Sequence, residues 1–366
     1  MDTTDWEVHR LERAVVRLQP EELEEVGRTD VPTVEAMLGI ASNDGKFERE
    51  RRQALEDIET ILYRKRAGRA GEEAVEQTLS EVIFPEGTHV FRNVSLLIRK
   101  GYRIEIDVLI LTPSFVLVLE VKNIAGTLFF NEGEGKTVRI RENGQTDEFD
   151  CYVNQLDRQI NGLNQFLSTL QISLPVYGAI VLANQNTVVK KRPATYTLLY
   201  RKQLARYFRS LVADGLPLAT KIFARLAELI GSQVPDSARL PLRQELELNP
   251  KLFRTGVLCL KCHRLIHNVR KRSWYCKTCD LPGREAVRQA VEDRLILIGP
   301  EITNKQCREF LRLRHSSQAT RVLKSLTLIK YGEPPATRYA KLGNGPLMWA
   351  EEQGIEVPGE NISTSQ

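Results

Sequence analysis

Three residues with the chemistry of a cation site lie close together in the stretch RIEIDVLILTPSFVLVLEVKN, residues 103–123. Asp107 and Glu120 carry carboxylates and Lys122 carries an amine, within runs of Val, Ile, Leu and Phe that are typical of buried strands. With a turn at TPSF, antiparallel pairing places Asp107 opposite Glu120. Glu105 then falls opposite Lys122 on the same face. The other face of the first strand is predicted to be apolar, with Ile104, Ile106, Val108 and Ile110.

Opposed carboxylates of this kind require compensation. Their Cβ atoms would lie about 5 Å apart, and like charges directly opposite each other destabilise a sheet. A shared proton, the amine of Lys122 or a divalent cation would each offset the repulsion. An exposed strand end with a simple Lys–Glu pair is the alternative, but both faces of the hairpin are apolar for most of their length. The pattern therefore favours a metal site.

Four cysteines form a second pattern. Two residues separate Cys259 from Cys262 and Cys276 from Cys279, and thirteen residues separate the two pairs. This spacing is typical of four thiolates that bind Zn²⁺ tetrahedrally. Because four thiolates leave no open coordination position, we predict a structural zinc, held in a zinc ribbon.

Cations and aromatic rings surround these cysteines. Such a mixture suits phosphate contact and base stacking, although a ribbon with an ordinary solvated surface is the alternative. The candidate nucleic-acid-binding residues of this segment are Arg264, Arg270, Lys271, Arg272 and Trp274.

The segment that follows reads as helix, helix, turn, helix and hairpin. This order resembles a winged helix-turn-helix module in which residues 316–326 form the recognition helix. The residues expected to face a DNA groove are Ser317, Gln318, Arg321 and Lys324. A three-helix packing module without DNA contact remains the alternative.

The charge of the chain is unevenly distributed. Residues 1–60 hold 8 Lys and Arg against 16 Asp and Glu, whereas residues 251–330 hold 18 against 6. A basic region of this strength predicts a polyanionic partner, and nucleic acid is the usual one inside cells. A solvated, well-charged surface is the alternative reading.

Export and membrane signals are not found in the sequence. It has no run of 18 apolar residues, and MDTTDWEVHR lacks the apolar segment of a signal peptide. We therefore expect a cytoplasmic protein without a membrane partner, in which the cysteines stay reduced.

The spacing Asp-x12-Glu-x-Lys, formed by Asp107, Glu120 and Lys122, resembles the active-site core of the PD-(D/E)xK nuclease superfamily. Together with GRAGEEAVEQTL, EIDVLIL, LVLEVKNIAGTL and NQLDRQINGLNQFL, it resembles the nuclease-related domain, NERD, over roughly residues 67–185. Ile106 stands where the superfamily motif has proline.

The resemblance implies a restriction-endonuclease-like α/β core, with a mixed sheet flanked by helices. It implies that Asp107, Glu120 and the carbonyl of Val121 bind Mg²⁺ or Mn²⁺. Lys122 would orient the attacking water or help to deprotonate it.

Two helical residues complete the implied site. Glu72, in a helix expected to open after Gly71, matches the acidic helix residue of the family, and Gln155 matches its helical glutamine. Alternatively, Glu72 lies in the first turn of the helix, where its negative charge stabilises the helix dipole. Gln155 has an alternative place on a solvated helix face.

Six regions follow from these patterns. They are an acidic helical arm (1–66), a nuclease-like domain (67–190), a helical extension and linker (191–256), a zinc ribbon (257–281), a winged-helix-like module (284–345) and a tail expected to be disordered (346–366).

Two functions remain open at this point. The first is a Mg²⁺-dependent nuclease whose ribbon and winged helix bind the substrate, with DNA favoured over RNA. The second is a nucleic-acid-binding or regulatory protein with a degenerate nuclease-like domain. Retention of Asp107, Glu120 and Lys122 favours the nuclease. Pairing as a homodimer and a protein partner bound by the acidic arm are further open expectations.

Overall fold

The computed structural model describes residues 3–20, 43–211, 216–232, 240–269, 273–333 and 336–341. The chain divides into two compact units, Met1–Trp6 with Tyr63–Pro235 and Glu7–Leu62 with Asp236–Gln366. No helix within the described ranges combines the length and apolar character needed to cross a membrane. The tail predicted at 346–366 lies outside the described residues.

A five-stranded mixed sheet forms the centre of the first unit, in the order β1-β2-β3-β7-β9. Its strands are β1 (His89–Arg99), β2 (Tyr102–Leu111), β3 (Val116–Lys122), β7 (Val176–Leu182) and β9 (Thr197–Tyr200). The first three are antiparallel neighbours, and β3, β7 and β9 are parallel. The expected mixed α/β core is therefore present.

Helices cover both faces of this sheet. Helix α3 (Tyr152–Thr169) and α5 (Thr220–Gly231) pack in one hydrophobic cluster. The C-terminal part of α2 (Asn43–Leu79) and α4 (Leu204–Ser210) pack in the other. Since β3 is buried between the two clusters, polar side chains at its end are held in a rigid, largely dry environment.

A smaller four-stranded sheet follows β3, in the order β6-β5-β4-β8. Its strands are β4 (Gly126–Asn131), β5 (Lys136–Ile140), β6 (Thr146–Asp150) and β8 (Thr187–Lys191). Its β4–β5–β6 meander lies in the chain between β3 and α3.

The regular alternation of side chains along β2 is interrupted at Asp107. Ile106 packs in the cluster with α3, whereas Val108 and Ile110 pack in the cluster with α2. The prediction that Ile104, Ile106, Val108 and Ile110 share one face is therefore wrong. Asn93 lies at the position of β1 opposite Asp107 and has a left-handed φ of +46°, and the paired positions of the two strands skip these two residues.

Helix α2 is longer than expected and runs without interruption through Gly68 and Gly71. The prediction of a helix start after Gly71 is wrong. Glu72 therefore lies in a helix interior and does not complement a helix N-terminus. An interior glycine costs about 1 kcal/mol relative to alanine, which a long and well-packed helix tolerates.

The second unit contains a four-stranded sheet in which the paired cysteines lie, in the order β10-β11-β12-β13. Its strands are β10 (Val257–Leu258), β11 (Leu265–Val269), β12 (Ser273–Cys276) and β13 (Leu281–Pro282). They are preceded by the short helix α6 (Leu242–Glu245).

Three helices and a three-stranded sheet complete this unit. The helices are α7 (Arg284–Leu297), α8 (Asn304–Phe310) and α9 (Ser316–Lys324), and the strands are β14 (Glu301–Thr303), β15 (Ile329–Tyr331) and β16 (Arg338–Ala340). The sheet order is β14-β16-β15, with antiparallel neighbours. Residues of the cysteine-bearing sheet and of all three helices share one hydrophobic cluster.

Helix α1 (Thr3–Leu18) joins this second unit through a buried ionic cluster. Asp293 of α7 is fully buried and accepts hydrogen bonds from Arg13 at 2.7 and 2.9 Å and from Arg17 at 2.7 Å. Burial alone would raise the pKa of Asp293, but the hydrogen bond and charges of two guanidinium groups lower it overall. Burial lowers the pKa of Arg17, and the charge of Asp293 opposes this effect only in part.

Candidate functional site

The two strands of the hairpin separate at Asp107. Pairing of β2 with β3 has the predicted register, from Leu111 opposite Val116 to Val108 opposite Leu119, and the paired positions end there. In place of a backbone partner, Oδ2 of Asp107 accepts a hydrogen bond of 2.7 Å from the N–H group of Val121. The carboxylate therefore occupies the gap between the strands, and the pairs predicted at Asp107–Glu120 and Glu105–Lys122 lie beyond the ladder.

The carboxyl group of Asp107 is in an environment that disfavours its charge. Burial, and next the charge of Glu120, raise its pKa well above the usual range, against the lowering effects of Lys122 and the Val121 N–H group. Its remaining solvent contact is with a cleft of about 420 Å³ that Glu72 also lines. A divalent cation bound at Asp107 would favour the charged form of its carboxylate.

Glu120, which is buried, and Lys122, which is half-buried, form an ion pair on β3. Glu120 is fully buried, and its Oε2 atom accepts a 2.5 Å hydrogen bond from Nε2 of Gln159. Its Oε1 atom is in contact with Nζ of Lys122. Lys122 also donates a 3.1 Å hydrogen bond to Oε1 of Gln155. The β3 carboxylate and amine are thus both held by side chains of α3.

One face of α3 supplies this support. Tyr152, Gln155 and Gln159 are three and four residues apart and project from the same side of the helix. Nζ of Lys122 lies 4.8 Å from the ring centroid of Tyr152, a cation–π contact. Sequence reasoning selected Gln155 but assigned no role to Tyr152 or Gln159, although their spacing carries the signal. Arg158 is exposed.

Gly71 lets α2 approach the end of β3. A Cβ atom at Gly71 would lie 2.5 Å from Cβ of Asn123, too close for any side chain. Asn123 fastens the same contact by donating a 2.8 Å hydrogen bond to the carbonyl of Ala67. This packing places Glu72 beside Asp107, where its charge contributes to the raised pKa of that residue.

The structure brings the predicted residues together in two groups. Asp107 and Glu72 line the cleft, whereas Glu120, Lys122 and Gln155 form a partly buried network between β3 and α3. In the described part of the chain, the four paired cysteines are the one group of three or more His, Cys, Asp or Glu side chains arranged for a metal ion. Glu72 acts on Asp107 through its charge.

The four cysteines converge on one point. All four Sγ atoms lie within 4.8 Å of one another, and Sγ of Cys262 is 3.6 Å from that of Cys276. Burial acts to raise the pKa of Cys259, but the N–H groups of Cys262 and Lys261 lower it to about 7. Burial raises the pKa of Cys262, and hydrogen bonding to Cys262 raises that of Cys279 to about 12. A cluster of this geometry could hold a metal ion such as zinc.

The candidate nucleic-acid-binding residues are only partly described. Arg264 is exposed and Trp274 is half-buried, whereas Arg270, Lys271 and Arg272 lie outside the described residues. On α9, Ser317, Arg321 and Lys324 are exposed. Gln318 caps the helix, since its Oε1 atom accepts hydrogen bonds of 3.1 Å from the N–H groups of Arg314 and His315.

Comparison with known proteins identifies one family. Residues 67–183 match the family model described as the nuclease-related domain, NERD. The match covers strands β1, β2, β3 and β7 of the central sheet, the Asp107 gap and the Lys122 network. It does not reach β9, and it extends over less than half of the chain. No curated protein and no solved structure gave a match. Residues 67–183 therefore carry a nuclease-related domain.

Proposed function

We propose that the first unit is a metal-dependent nuclease that hydrolyses phosphodiester bonds, with DNA the favoured substrate. The observation that carries this proposal is the position of Asp107. Its carboxylate is held by the Val121 N–H group in the gap between two strands, next to the Glu120–Lys122 pair and at the wall of a cleft. The match of residues 67–183 to the nuclease-related domain supports the same conclusion.

The residues present fit a hard divalent cation. Asp107 and Glu120 offer carboxylate oxygens, and burial together with the nearby charge of Glu120 raises the pKa of Asp107. In a strand, the N–H and C=O groups of one residue point to the same side, so the carbonyl of Val121 faces the Asp107 side. Mg²⁺ and Mn²⁺ prefer such an oxygen set. When bound, the cation would neutralise phosphate charge and activate a water.

The remaining residues have positioning and proton-transfer roles. Lys122 would orient the attacking water or accept its proton, because its amine lies next to a proposed ligand and is held by Gln155 and the ring of Tyr152. Gln159 would fix the carboxylate of Glu120. Glu72 would add negative charge at the cleft wall.

We propose that the second unit binds the substrate. The four cysteines would hold a structural zinc, which makes the β10–β13 sheet a zinc ribbon. The order α7-β14-α8-α9-β15-β16 resembles that of a winged helix, which supports the proposal that α9 binds DNA. The net charge of +12 over residues 251–330 supports a polyanionic partner.

Cleavage of labelled DNA in the presence of Mg²⁺ tests the nuclease. We expect Asp107→Asn and Lys122→Ala to lower the rate by about 10²–10⁴-fold. Glu105→Gln is the matched control, since Glu105 is exposed and lies on the same strand two residues from Asp107. Mobility shift without cleavage in the unmodified protein would instead support a binding protein with a degenerate domain.

A further inference from the structure

A groove of about 540 Å³ lies within the second unit, beside α9 and the cysteine-bearing sheet. Its volume is within the range of about 300–1,000 Å³ that is usual for ligand sites. Trp274 of β12 forms part of its wall, and Val287, Val322 and Leu326 contribute apolar surface. We call it the Trp274 groove.

The charge of the Trp274 groove is positive. Its lining includes three arginines, Arg284, Arg288 and Arg321, and one carboxylate, Glu285. Glu285 forms an ion pair of 3.0 Å with Arg288. Within the described residues, neither Arg284 nor Arg321 forms an ion pair. Two guanidinium groups are therefore available to an anion at the rim of an apolar groove.

The wall that carries Trp274 is rigidly placed. A Cβ atom at Gly283 would lie 2.8 Å from Cβ of Trp274 and 2.5 Å from Cδ1 of Ile266, so only glycine allows this approach. The N–H group of Gly283 donates a 2.8 Å hydrogen bond to the carbonyl of Trp274. These contacts hold the start of α7 close to strand β12, which carries Trp274.

We propose that the Trp274 groove binds a single-stranded segment of nucleic acid, with an unpaired base against Trp274 and its phosphates at Arg284 and Arg321. In a duplex the bases are stacked and paired, whereas an unpaired base can enter an apolar groove and stack on an aromatic ring. This inference rests on the proposed function, in which the second unit binds the substrate, and it identifies a strand with unpaired bases as that substrate.

Fluorescence anisotropy with a labelled 12-nucleotide oligo(dT) tests the groove. The full-length chain carries Asp107→Asn and no Mg²⁺ or Mn²⁺ is added, so binding is read without cleavage. We expect the single strand to bind more tightly than a 12-base-pair duplex. Trp274→Leu should weaken single-strand binding about 5- to 150-fold, and Trp274→Phe should retain most of it.

A double substitution of the two groove arginines provides a second test. Arg284→Gln with Arg321→Gln should lower the magnitude of the slope of log affinity against log salt by about 1.4. Lys305→Gln with Lys330→Gln removes the same charge from exposed positions of the same unit outside the groove, and should change single-strand affinity less.

The outcomes separate this inference from the nuclease itself. Tighter binding of the duplex, or equal losses in the groove and control pairs, would overturn the single-strand site. Because no cleavage is measured, neither result bears on hydrolysis by the first unit. Zinc content and thermal unfolding confirm that each variant is folded, and the arginine pair decides the matter if Trp274→Leu does not fold.

Discussion

The buried carboxylate of Glu120 is stabilised by two neighbouring side chains. A fully buried carboxylate is unfavourable unless its oxygens have partners, and here one oxygen is bonded by Gln159 while the other contacts Lys122. The same two partners fix the orientation of the carboxylate. Support from α3 is therefore as much a requirement for the site as the acidic residues.

Replacement of Gln159 tests this support. Gln159→Leu keeps the side-chain volume but leaves Oε2 of Glu120 without its donor, so we expect the free energy of unfolding to fall by about 1–3 kcal/mol. Urea denaturation measures this change. Arg158→Leu, at the exposed neighbouring position, should remain within about 0.5 kcal/mol of the original protein. Equal losses in both variants would contradict the role of Gln159.

Residue types and spacing identified Asp107, Glu120 and Lys122, because a carboxylate or amine in an apolar strand is a conspicuous signal. The same reasoning overlooked Gln159, since an amide on an amphipathic helix reads equally well as solvent-exposed. It also overlooked the break in alternation at Asp107. That break lies opposite the left-handed backbone of Asn93 on the neighbouring strand, a feature that periodicity within β2 does not encode.

At the scale of elements, the packing of α2 on the end of β3 sets the distance between Glu72 and Asp107. Gly71→Ala would force Cβ atoms to 2.5 Å at Asn123, so we expect lower thermal stability and slower cleavage. Gly68→Ala, in the same helix, has no atom within 4 Å of the added carbon and should stabilise the protein by up to about 1 kcal/mol. Thermal unfolding and DNA cleavage of the two variants measure the contrast. A stabilised and active Gly71→Ala protein would contradict this packing.

Removal of one cysteine tests the zinc proposed for the cysteine-bearing sheet. Cys276→Ser removes one ligand of four, and we expect loss of the single bound zinc and cooperative destabilisation of the β10–β13 sheet. Elemental analysis with thermal unfolding measures both effects. Cys307→Ser is the control, because Cys307 is a buried cysteine outside the cluster. Zinc retained at one ion per chain in Cys276→Ser would contradict the four-thiolate site.

The sequence predicts which segments form strands and helices better than it predicts where each of them begins and ends. The hairpin register followed from the position of Pro113 and the apolar runs on either side of it. The start of α2 was misplaced because glycine lowers helix propensity, while the tertiary contact at Asn123 that requires Gly71 is made by residues fifty positions away. Strand β14 was too short, at three residues, to show a period.

At the scale of the whole molecule, amino-acid composition does not predict the ion pairs that α1 forms. Residues 1–60 are acidic overall, yet Arg10, Arg13 and Arg17 recur at helical spacing and form the face of α1 that contacts α6 and α7 within the second unit. Their carboxylate partners, Asp293 and Glu245, lie more than 200 residues away in the chain. A net charge count over a segment does not reveal such a face.

The buried Asp293 cluster predicts how stability depends on pH. The folded-state pKa of Asp293 is lowered below the unfolded value of about 3.9. Its stabilisation is therefore present above about pH 4 and is lost as the pH falls through the folded-state pKa. Asp293→Asn should lower the free energy of unfolding by about 3–5 kcal/mol at pH 7, and by less as the pH falls.

Urea denaturation between pH 7 and pH 3 measures this dependence. Glu285→Gln is the control, because Glu285 is exposed and belongs to a surface ion pair that contributes about 0–1 kcal/mol. A constant difference between Asp293→Asn and the original protein across this range would show that the charge of Asp293 is not what joins α1 to α7.

The central claim is that Asp107 and Glu120 share a divalent cation. Anomalous diffraction from a crystal soaked in Mn²⁺ tests it most directly. We predict a peak between the two carboxylates, at about 2.0–2.3 Å from an oxygen of each, together with a shift of Lys122 away from Oε1 of Glu120. A cation bound elsewhere, with Lys122 still in contact with Glu120, would contradict the proposed nuclease site.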